Sequence, residues 1–259
     1  MISEPKRRSK KARPFKCRQI TYIFAEERKM TRIASYNIRK SVGLDYRRDP
    51  LRVLSVLSAI DADVVALQEV DRRFGRRASS IPRDLLAENT NLKIVELAKR
   101  PDSIGWHGNA VLVRQDAEVM DIHNIDLPGL EPRGAVVVDL DLPGTSLRVV
   151  GVHLSLMRRD RRVQVTHITE YLARLSALPT LIMGDFNEWS QTSQNLTALS
   201  ERFNLHTPGH SFPSSRPVVG LDKIALSRDL AFSNSGVHTC EASKRASDHM
   251  PIWADIRAS

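Results

Sequence analysis

Strand-like and helix-like segments alternate along the chain from residue 31 onward. Residues 31–38 have the pattern of a strand, and residues 63–70 form a short apolar run that suits a buried strand. Between them, Asp49 and Pro50 provide an N-cap and a first-turn residue for a helix. Apolar residues then recur on one face of that helix: Val53, Val56, Leu57 and Ile60. The pattern predicts a strand, an amphipathic helix and a second strand, in this order.

The alternation continues to the end of the chain. A second helix is predicted over residues 163–178, where apolar side chains again share one side. Six further runs, bounded by Gly, Pro and Asp, are predicted as strands: residues 108–114, 134–142, 147–155, 180–187, 221–226 and 251–256. No internal repeat or linker interrupts residues 30–259. We therefore expect one mixed α/β domain there.

Positive charge is concentrated in the first 29 residues. The chain has 259 residues and a net charge of +9, and residues 1–29 hold ten Lys or Arg against three Glu, a net +7. The remainder is left with +2, which is ordinary. We expect residues 1–29 to be a disordered basic tail, which either binds nucleic acid or anionic lipid or serves only as a solubilising extension. Translation starts at Met1 or at Met30.

Composition places the protein among globular chains. With 41% apolar and 27% charged residues, collagen, coiled coils and wholesale disorder are excluded. No apolar run approaches the roughly 18 residues of a membrane helix, and the apolar stretch at residues 20–25, within the basic tail, is too short for an export signal. Two cysteines, Cys17 and Cys240, cannot build a zinc site, and we expect free thiols. A cytoplasmic location follows as a prediction.

Polar side chains end or precede the apolar strands at six places. They are, in chain order, Asn37, Glu69, His153, Asp185 with Asn187, Asp222, and Asp248 with His249. One such residue is commonly a turn residue, but burying six without partners would cost about 2–7 kcal/mol for each neutral group and more for each charge. We therefore expect them to converge on one another or on a cation. Oxygen donors with two His and no Cys favour Mg²⁺ or Mn²⁺, and hence a phosphate-bearing substrate.

These segments together resemble the endonuclease/exonuclease/phosphatase superfamily, which has the DNase I-like fold. The matching segments are Ser35-Tyr36-Asn37-Ile38, Leu67-Gln68-Glu69-Val70, Gly108-Asn109-Ala110-Val111-Leu112, Val152-His153-Leu154, Gly184-Asp185-Phe186-Asn187, Leu221-Asp222 and Ser247-Asp248-His249. They occur in the family's order and span most of residues 31–256. The resemblance implies a four-layer sandwich, in which two mainly antiparallel β-sheets pack face to face with helices outside and a site at one edge.

The resemblance also implies roles for the strand-end residues. Metal binding is implied for Glu69 as the principal ligand, with Asn37 beside it and Asp248 as a further ligand or a positioning residue. Catalytic roles are implied for five residues: Asp222 orients His249, Asp185 and Asn187 position the water and a phosphate oxygen, and His153 is either the general acid or a phosphate hydrogen-bond donor. Such a carboxylate-supported imidazole is suited to activating water or to stabilising transition-state charge.

Phosphate contacts are expected at four positions. Arg133 precedes a predicted strand as a phosphate-contacting arginine does in DNase I-like enzymes. Asn109 matches the family's Gly-Asn pair, and the resemblance implies that it supports His153 from behind. Arg158 and Arg159 follow the His153 strand, where they either track a phosphate backbone or lipid headgroup or are solvated.

The resemblance implies a divalent-metal-dependent hydrolase of phosphodiester bonds, and a nuclease is the first expectation for its substrate. A lipid phosphodiesterase (sphingomyelinase-like or acting on glycerophospholipids) or an inositol-phosphate phosphodiesterase or phosphatase is the alternative. AP-endonuclease relatives have a tyrosine at the position of His153, so an abasic-site substrate is not expected. A catalytically inactive scaffold and a polyanion-binding protein acting through the basic tail are the non-enzyme alternatives. The sequence leaves the oligomeric state open.

Overall fold

The computed structural model describes residues 30–72, 76–190 and 193–259. The predicted basic tail, residues 1–29, lies outside the described residues. Twelve strands are present in the described part: β1 (Thr31–Asn37), β2 (Val64–Gln68), β3 (Leu92–Ile94), β4 (Ala110–Arg114), β5 (Glu118–Leu127), β6 (Arg133–Leu142), β7 (Thr145–His153), β8 (Thr180–Asp185), β9 (Phe203–His206), β10 (Asp222–Ser227), β11 (Leu230–Val237) and β12 (Ile252–Ala258). Its α-helices are α1 (Pro50–Ile60), α2 (Arg83–Asn89), α3 (Arg158–Leu172), α4 (Thr197–Ser200) and α5 (Ser243–Ala246).

The strands form two six-stranded sheets. Sheet 1 has the order β11-β12-β1-β2-β4-β3, and sheet 2 has the order β5-β6-β7-β8-β10-β9. One pair in each sheet is parallel, β1 with β2 and β7 with β8, and the other neighbours are antiparallel. The predicted mainly antiparallel sheets are therefore confirmed.

Three apolar clusters separate four layers. The first lies between the sheets and includes Ile33, Val111 and Met183. The second packs α1 and α2 on the outer face of sheet 1, and the third packs α3 and α4 on the outer face of sheet 2. Alternate residues of each central strand face opposite layers, as the two-residue period of a strand requires. The four-layer α/β sandwich expected from the sequence is confirmed.

The helix α1 begins where its capping residue predicts. The Asp49 side chain accepts a hydrogen bond of 3.2 Å from the backbone N–H of Arg52, and Pro50 occupies the first turn. The cap satisfies one of the backbone donors that a helix leaves free at its start. The helix then buries its apolar face against sheet 1.

Some element bounds differ from the sequence expectation. Helix α3 begins at Arg158 rather than at residue 163, because its charged first turn carries no apolar period. It ends at Leu172 rather than at residue 178, seven residues before Pro179. Strand β5 was not predicted from the sequence, because it is an edge strand with polar and half-exposed residues along most of its length. The short strands β3 and β9 likewise gave no apolar run.

The expectation of free thiols is wrong for Cys240, which is disulfide-bonded in the structure. Cys17 lies outside the described residues. In the part of the chain that the structure describes, no helix is long and apolar enough to cross a membrane.

Gly184 allows the parallel pair β7 and β8 to approach at the point where the site begins. It pairs with Val152, and a Cβ at residue 184 would lie 1.9 Å from the Val152 carbonyl oxygen. No real Cβ tolerates such an approach to backbone. The sequence segment Gly184-Asp185 therefore requires glycine for a packing reason.

We predict that Gly184→Ala lowers the free energy of unfolding by more than about 4 kcal/mol. The control is Gly144→Ala, because Gly144 has a φ of +88° but open space where its Cβ would stand. That control should lose only the conformational cost, about 1–2 kcal/mol. Urea unfolding of both variants measures the difference, and equal losses would contradict the close-approach argument.

Candidate active site

The sheet pairings bring the predicted strand-end residues to one edge of the sandwich. In sheet 1, Asn37 pairs with Gln68 at the ends of the parallel strands β1 and β2, directly before Glu69. In sheet 2, Asp185 pairs both with His153 at the end of β7 and with Asp222 at the start of β10. Parallel strands carry their carboxyl ends to the same edge, so each sheet contributes one group of polar side chains.

A hydrogen bond joins the two groups across the sheets. Asn37 Nδ2 donates to Asp185 Oδ2 at 3.0 Å, and both residues are buried. The hydroxyl of Ser247 donates to the Asn37 carbonyl at 2.7 Å, which brings the segment with Asp248 and His249 to the same place. The site is therefore assembled from both sheets.

Asp185 is the residue on which the other side chains converge. Its Oδ1 accepts from the backbone N–H of Asn187 at 2.9 Å, and Asn187 Nδ2 donates in turn to the Leu154 carbonyl at 2.9 Å. Nε2 of His153 lies 3.4 Å and Nε2 of His249 lies 3.7 Å from Asp185 Oδ2. Two imidazoles therefore face one carboxylate.

The ring of His249 is oriented from its far side. Nδ1 of His249 lies 2.9 Å from Asp222 Oδ2, which also accepts a hydrogen bond from the hydroxyl of Ser211. The Phe212 ring packs against the imidazole, with the ring centroids 4.9 Å apart. Asp222 is fully buried. The pair leaves Nε2 of His249 directed toward Asp185.

The two histidines have opposite pKa shifts. Burial alone would lower the pKa of His249, but the charges of Asp222 and Asp185 and the hydrogen bond to Asp222 raise it to about 10. Burial lowers the pKa of His153 to about 4, and the nearby charge of Asp185 does not compensate. At neutral pH, His249 is therefore an imidazolium and His153 a neutral imidazole.

Glu69 and Asp248 lie beside cationic side chains that sequence reasoning missed. The ammonium group of Lys40 donates to Glu69 Oε2, and Arg39 Nε lies 3.4 Å from Asp248 Oδ2. Burial alone would raise the pKa of Glu69, but Lys40, His153 and Arg133 hold it below its usual value. Glu69 is therefore charged at neutral pH.

Backbone conformation places these cations. Arg39, Lys40 and Ser41 have positive φ angles of 46°, 57° and 58°, in that order. Glu69 likewise has a φ of 56°. The backbone N–H of Lys40 donates to the Glu69 carbonyl at 3.0 Å. Consecutive left-handed residues other than glycine are costly and concentrate at functional sites. Adjacency to Asn37 was the one sequence signal for Arg39 and Lys40.

Arg133 lies beside the site at the start of β6. Its guanidinium donates to Glu131 Oε2, at 2.7 Å from Nη2, while Glu131 Oε1 accepts from Ser155 and from the Leu156 N–H. Its charge lowers the pKa values of both Glu69 and His153. Glu131 is a further residue that sequence reasoning missed, although it stands in the same Glu-Pro-Arg-Gly segment.

The other three residues expected to contact phosphate, Asn109, Arg158 and Arg159, have contacts outside the polar cluster. Asn109 is fully buried, and its Nδ2 donates to the Gly134 carbonyl at 2.9 Å, with no contact to His153 recorded among the described residues. It is therefore a tether for the turn beside Arg133 rather than a support for His153. Arg158 and Arg159 are exposed at the start of α3, and Arg158 Nε contacts Asn195 at 3.4 Å. The structure does not bring these two arginines into the polar cluster.

Two groups of donors could hold a metal ion. Glu69, Asp248 and Asn37 offer oxygen atoms, and the Glu69 and Asp248 side chains are 26% and 33% exposed. The second group, Asp185, Asp222 and His249, has ligand atoms that all lie within 4.8 Å of one another.

Accessibility and charge favour the first group for Mg²⁺ or Mn²⁺. In the second group, Asp222 Oδ2 and both oxygens of Asp185 already accept hydrogen bonds, and Nδ1 of His249 is already paired with Asp222. Mg²⁺ prefers oxygen ligands and retains several waters, which requires accessible carboxylates. The residues of the first group fit that requirement.

Comparison with known families matches this chain over most of its length. The model of the Endonuclease/Exonuclease/phosphatase family matches residues 34–249, which include all the strand-end residues of the site. The uncharacterized protein YbhP of Escherichia coli (strain K12) is 28% identical over 244 residues, covering 87% of this chain and 95% of that protein.

Solved structures share the fold. An endonuclease/exonuclease/phosphatase from Beutenbergia cavernae superposes with a TM-score of 0.68 at 21% identity, covering 90% of this chain and 72% of that one. D. rerio TDP2, complexed with a single-strand DNA product, has a TM-score of 0.68 at 15% identity over 88% of this chain and 99% of its own. The human Nocturnin catalytic domain has a TM-score of 0.65 at 18% identity over 90% and 96%.

We predict that Asp222→Asn lowers the pKa of His249 in protein freed of divalent ions, because it removes the carboxylate that stabilises the imidazolium. NMR titration of the ring protons measures the shift. Asp255→Asn is the control, since Asp255 instead pairs with Arg32 at 2.8 Å.

The raised pKa of His249 also predicts how the stability of the fold depends on pH: it contributes stability below pH about 6.5 that is lost as pH rises to about 10. This loss should be smaller in Asp222→Asn; an unchanged His249 pKa would contradict the assignment.

Proposed function

The chain belongs to the endonuclease/exonuclease/phosphatase family, and from that premise we propose that it is a divalent-metal-dependent hydrolase of phosphodiester bonds. The observation that carries the proposal is the buried pair of His249 and Asp222, which faces Asp185 beside the accessible carboxylate Glu69. An imidazolium fixed by a carboxylate is suited to a transition state that gains negative charge. The oxygen donors beside it suit a hard cation.

Metal binding is proposed for Glu69, Asn37 and Asp248. When bound, Mg²⁺ or Mn²⁺ would neutralise charge on the non-bridging phosphate oxygens. Lys40 and Arg39, which contact the two carboxylates, remain available to a phosphate once a divalent ion balances that charge. The carboxylates thus attract the cation while their neighbours attract the substrate.

The protein's side chains divide the chemistry by charge state. His249 donates a hydrogen bond from Nε2 to the phosphoryl oxygen that gains charge, and Asp222 holds its ring. Asp185 and Asn187 position the attacking water. His153, which is neutral, donates a hydrogen bond to phosphate rather than a proton to the leaving group, and Arg133 contributes positive charge. Of the two roles expected for His153, its low pKa favours this one.

The substrate is proposed at the level of a phosphodiester. A nuclease-like activity is the first proposal from the sequence, and the structural neighbour TDP2 is complexed with a single-strand DNA product. A mannosyl-6-phosphatase of Bacteroides thetaiotaomicron also has this fold, with a TM-score of 0.66 at 17% identity over 87% of this chain and 99% of its own, so the fold also accommodates phosphate monoesters. A lipid or inositol-phosphate ester is the alternative. Hydrolysis of bis-p-nitrophenyl phosphate, DNA, RNA, phospholipids and inositol phosphates, compared side by side, separates these classes.

We predict that EDTA abolishes hydrolysis of bis-p-nitrophenyl phosphate and that Mg²⁺ or Mn²⁺ restores it. Glu69→Gln should weaken metal binding in calorimetry and lower kcat/KM by about 10²-fold or more, because the amide lacks the ligand charge. Glu96→Gln, at an exposed carboxylate paired with Arg83, is the matched control and should leave both unchanged. Full activity in excess EDTA would remove the metal mechanism.

We predict that His249→Ala lowers kcat/KM by about 10²–10³-fold, the range for loss of one transition-state donor. The loss of kcat/KM in His153→Ala should be equal for a p-nitrophenyl diester and an alkyl diester. A side chain that donates a hydrogen bond to the phosphate serves both substrates alike. Rates of both variants on the two substrates, with circular dichroism to verify folding, provide the measurement. A much larger loss from His153→Ala on the alkyl diester would identify it instead as the proton donor to the leaving group.

A further inference from the structure

Four large apolar side chains are exposed around the candidate site. Leu130, Leu156, Met157 and Trp189 are 88%, 67%, 53% and 66% exposed, and we refer to them as the apolar rim. Each lies two to four residues along the chain from a site residue: Leu130 precedes Arg133, Leu156 and Met157 follow His153, and Trp189 follows Asn187. The apolar rim therefore borders the edge where the reaction is proposed to occur.

Hydrogen bonds join the loops that carry the rim. The backbone N–H of Leu130 donates to Asp160 Oδ2 at 3.0 Å, and that of Leu156 donates to Glu131 Oε1 at 3.1 Å. The guanidinium of Arg161 donates to the Leu156 carbonyl at 2.8 Å and pairs with Glu188, next to Trp189, at 3.2 Å. The backbone is thus held by polar contacts while the apolar side chains are left to solvent.

Exposed positive charge accompanies the rim. Arg158, Arg159 and Arg162 lie in the first turns of α3, directly after Met157, and all three are exposed. Among the described residues, none of the three has a recorded ion pair, in contrast to the buried Arg161. The surface beside the site therefore combines aliphatic and indole side chains with uncompensated arginines.

We propose that the apolar rim and these arginines dock the protein on an anionic phospholipid surface, and that the phosphodiester it cleaves lies in a lipid headgroup. The substrate class rests on the proposed function. Apolar side chains that enter the acyl boundary, a Trp at the interface and Arg on anionic headgroups are the combination that interfacial binding requires. Water adds to phosphorus, the P–O bond to the alcohol breaks, and the alcohol leaves with a proton.

A nucleic acid fits this surface less well. Single strands are held by aromatic side chains on which bases stack, together with a basic groove. Three of the four rim residues are aliphatic, and only Trp189 offers a stacking face. A membrane surface accounts for both the aliphatic side chains and the arginines.

Fluorescence of Trp189 tests insertion directly. The full chain carrying Glu69→Gln, so that lipid is not consumed, is mixed with vesicles of phosphatidylcholine and phosphatidylglycerol that contain brominated acyl chains. We expect quenching of the tryptophan emission, and loss of that quenching in Trp189→Phe, which keeps an apolar ring and leaves only the half-buried Trp106 and Trp253 to emit. Quenching that persists unchanged in Trp189→Phe would overturn the placement of this residue in the bilayer.

Vesicle co-sedimentation tests the rim. The double substitution Leu156→Ser and Met157→Ser should weaken partitioning into vesicles by about tenfold or more. It removes apolar side-chain area whose transfer from water into the membrane favours binding. The control is Met120→Ser, because Met120 is 50% exposed on β5, outside the rim loops, and it should bind like the parent. All these proteins keep residues 1–29, so charge-driven binding by that segment is equal among them. Equal partitioning of the rim variant would overturn the proposal.

The remaining outcomes separate this inference from the proposed function. Hydrolysis of bis-p-nitrophenyl phosphate without hydrolysis of any phospholipid would refute the lipid substrate and leave the proposed function standing. A rim variant that loses affinity for single-stranded DNA but not for vesicles would assign the surface to nucleic acid instead. A parent dimer in light scattering that becomes a monomer in the rim variant would assign it to a second copy of the chain.

Discussion

The parallel pairing of two central strands in each sheet is the constraint on which the site depends. Because β1 runs with β2 and β7 runs with β8, both sheets deliver polar strand ends to one edge of the sandwich. The hydrogen bond from Asn37 to Asp185 then joins the two sheets at that edge. The close approach at Gly184 belongs to the same constraint, since it lets β8 lie against β7 where Asp185 must meet His153.

Burial at this edge separates the two histidines into different chemical states. Both rings face Asp185, but only His249 has a second carboxylate, Asp222, at its other nitrogen. Asp222, together with Asp185, reverses the effect of desolvation on His249, so that ring is cationic while the ring of His153 is neutral. For the proposed hydrolysis, His249 supplies a fixed cation beside the phosphate and His153 supplies a neutral hydrogen-bond donor.

The apolar runs predicted a mixed α/β domain and the strand ends, because a polar residue that interrupts such a run is conspicuous, whereas the four-layer sandwich was implied by the family resemblance. The edge strand β5 left no such run, since most of its residues are half exposed or exposed. Lys40 and Ser211 were not predicted, because their contacts with Glu69 and Asp222 depend on how loops fold back over the edge. The exposed state of Trp189 was equally hidden, since composition does not tell which apolar side chains stay in water.

The central claim is that the accessible carboxylates Glu69 and Asp248 hold the metal while the buried Asp and His residues beside them, Asp185, Asp222, His153 and His249, act on the phosphate and the water. Anomalous diffraction from crystals of the protein soaked in Mn²⁺ tests it most directly. The account predicts an anomalous peak in contact with the carboxylate of Glu69 and close to Asn37 and Asp248. A peak coordinated only by Asp185, Asp222 and His249 would contradict it.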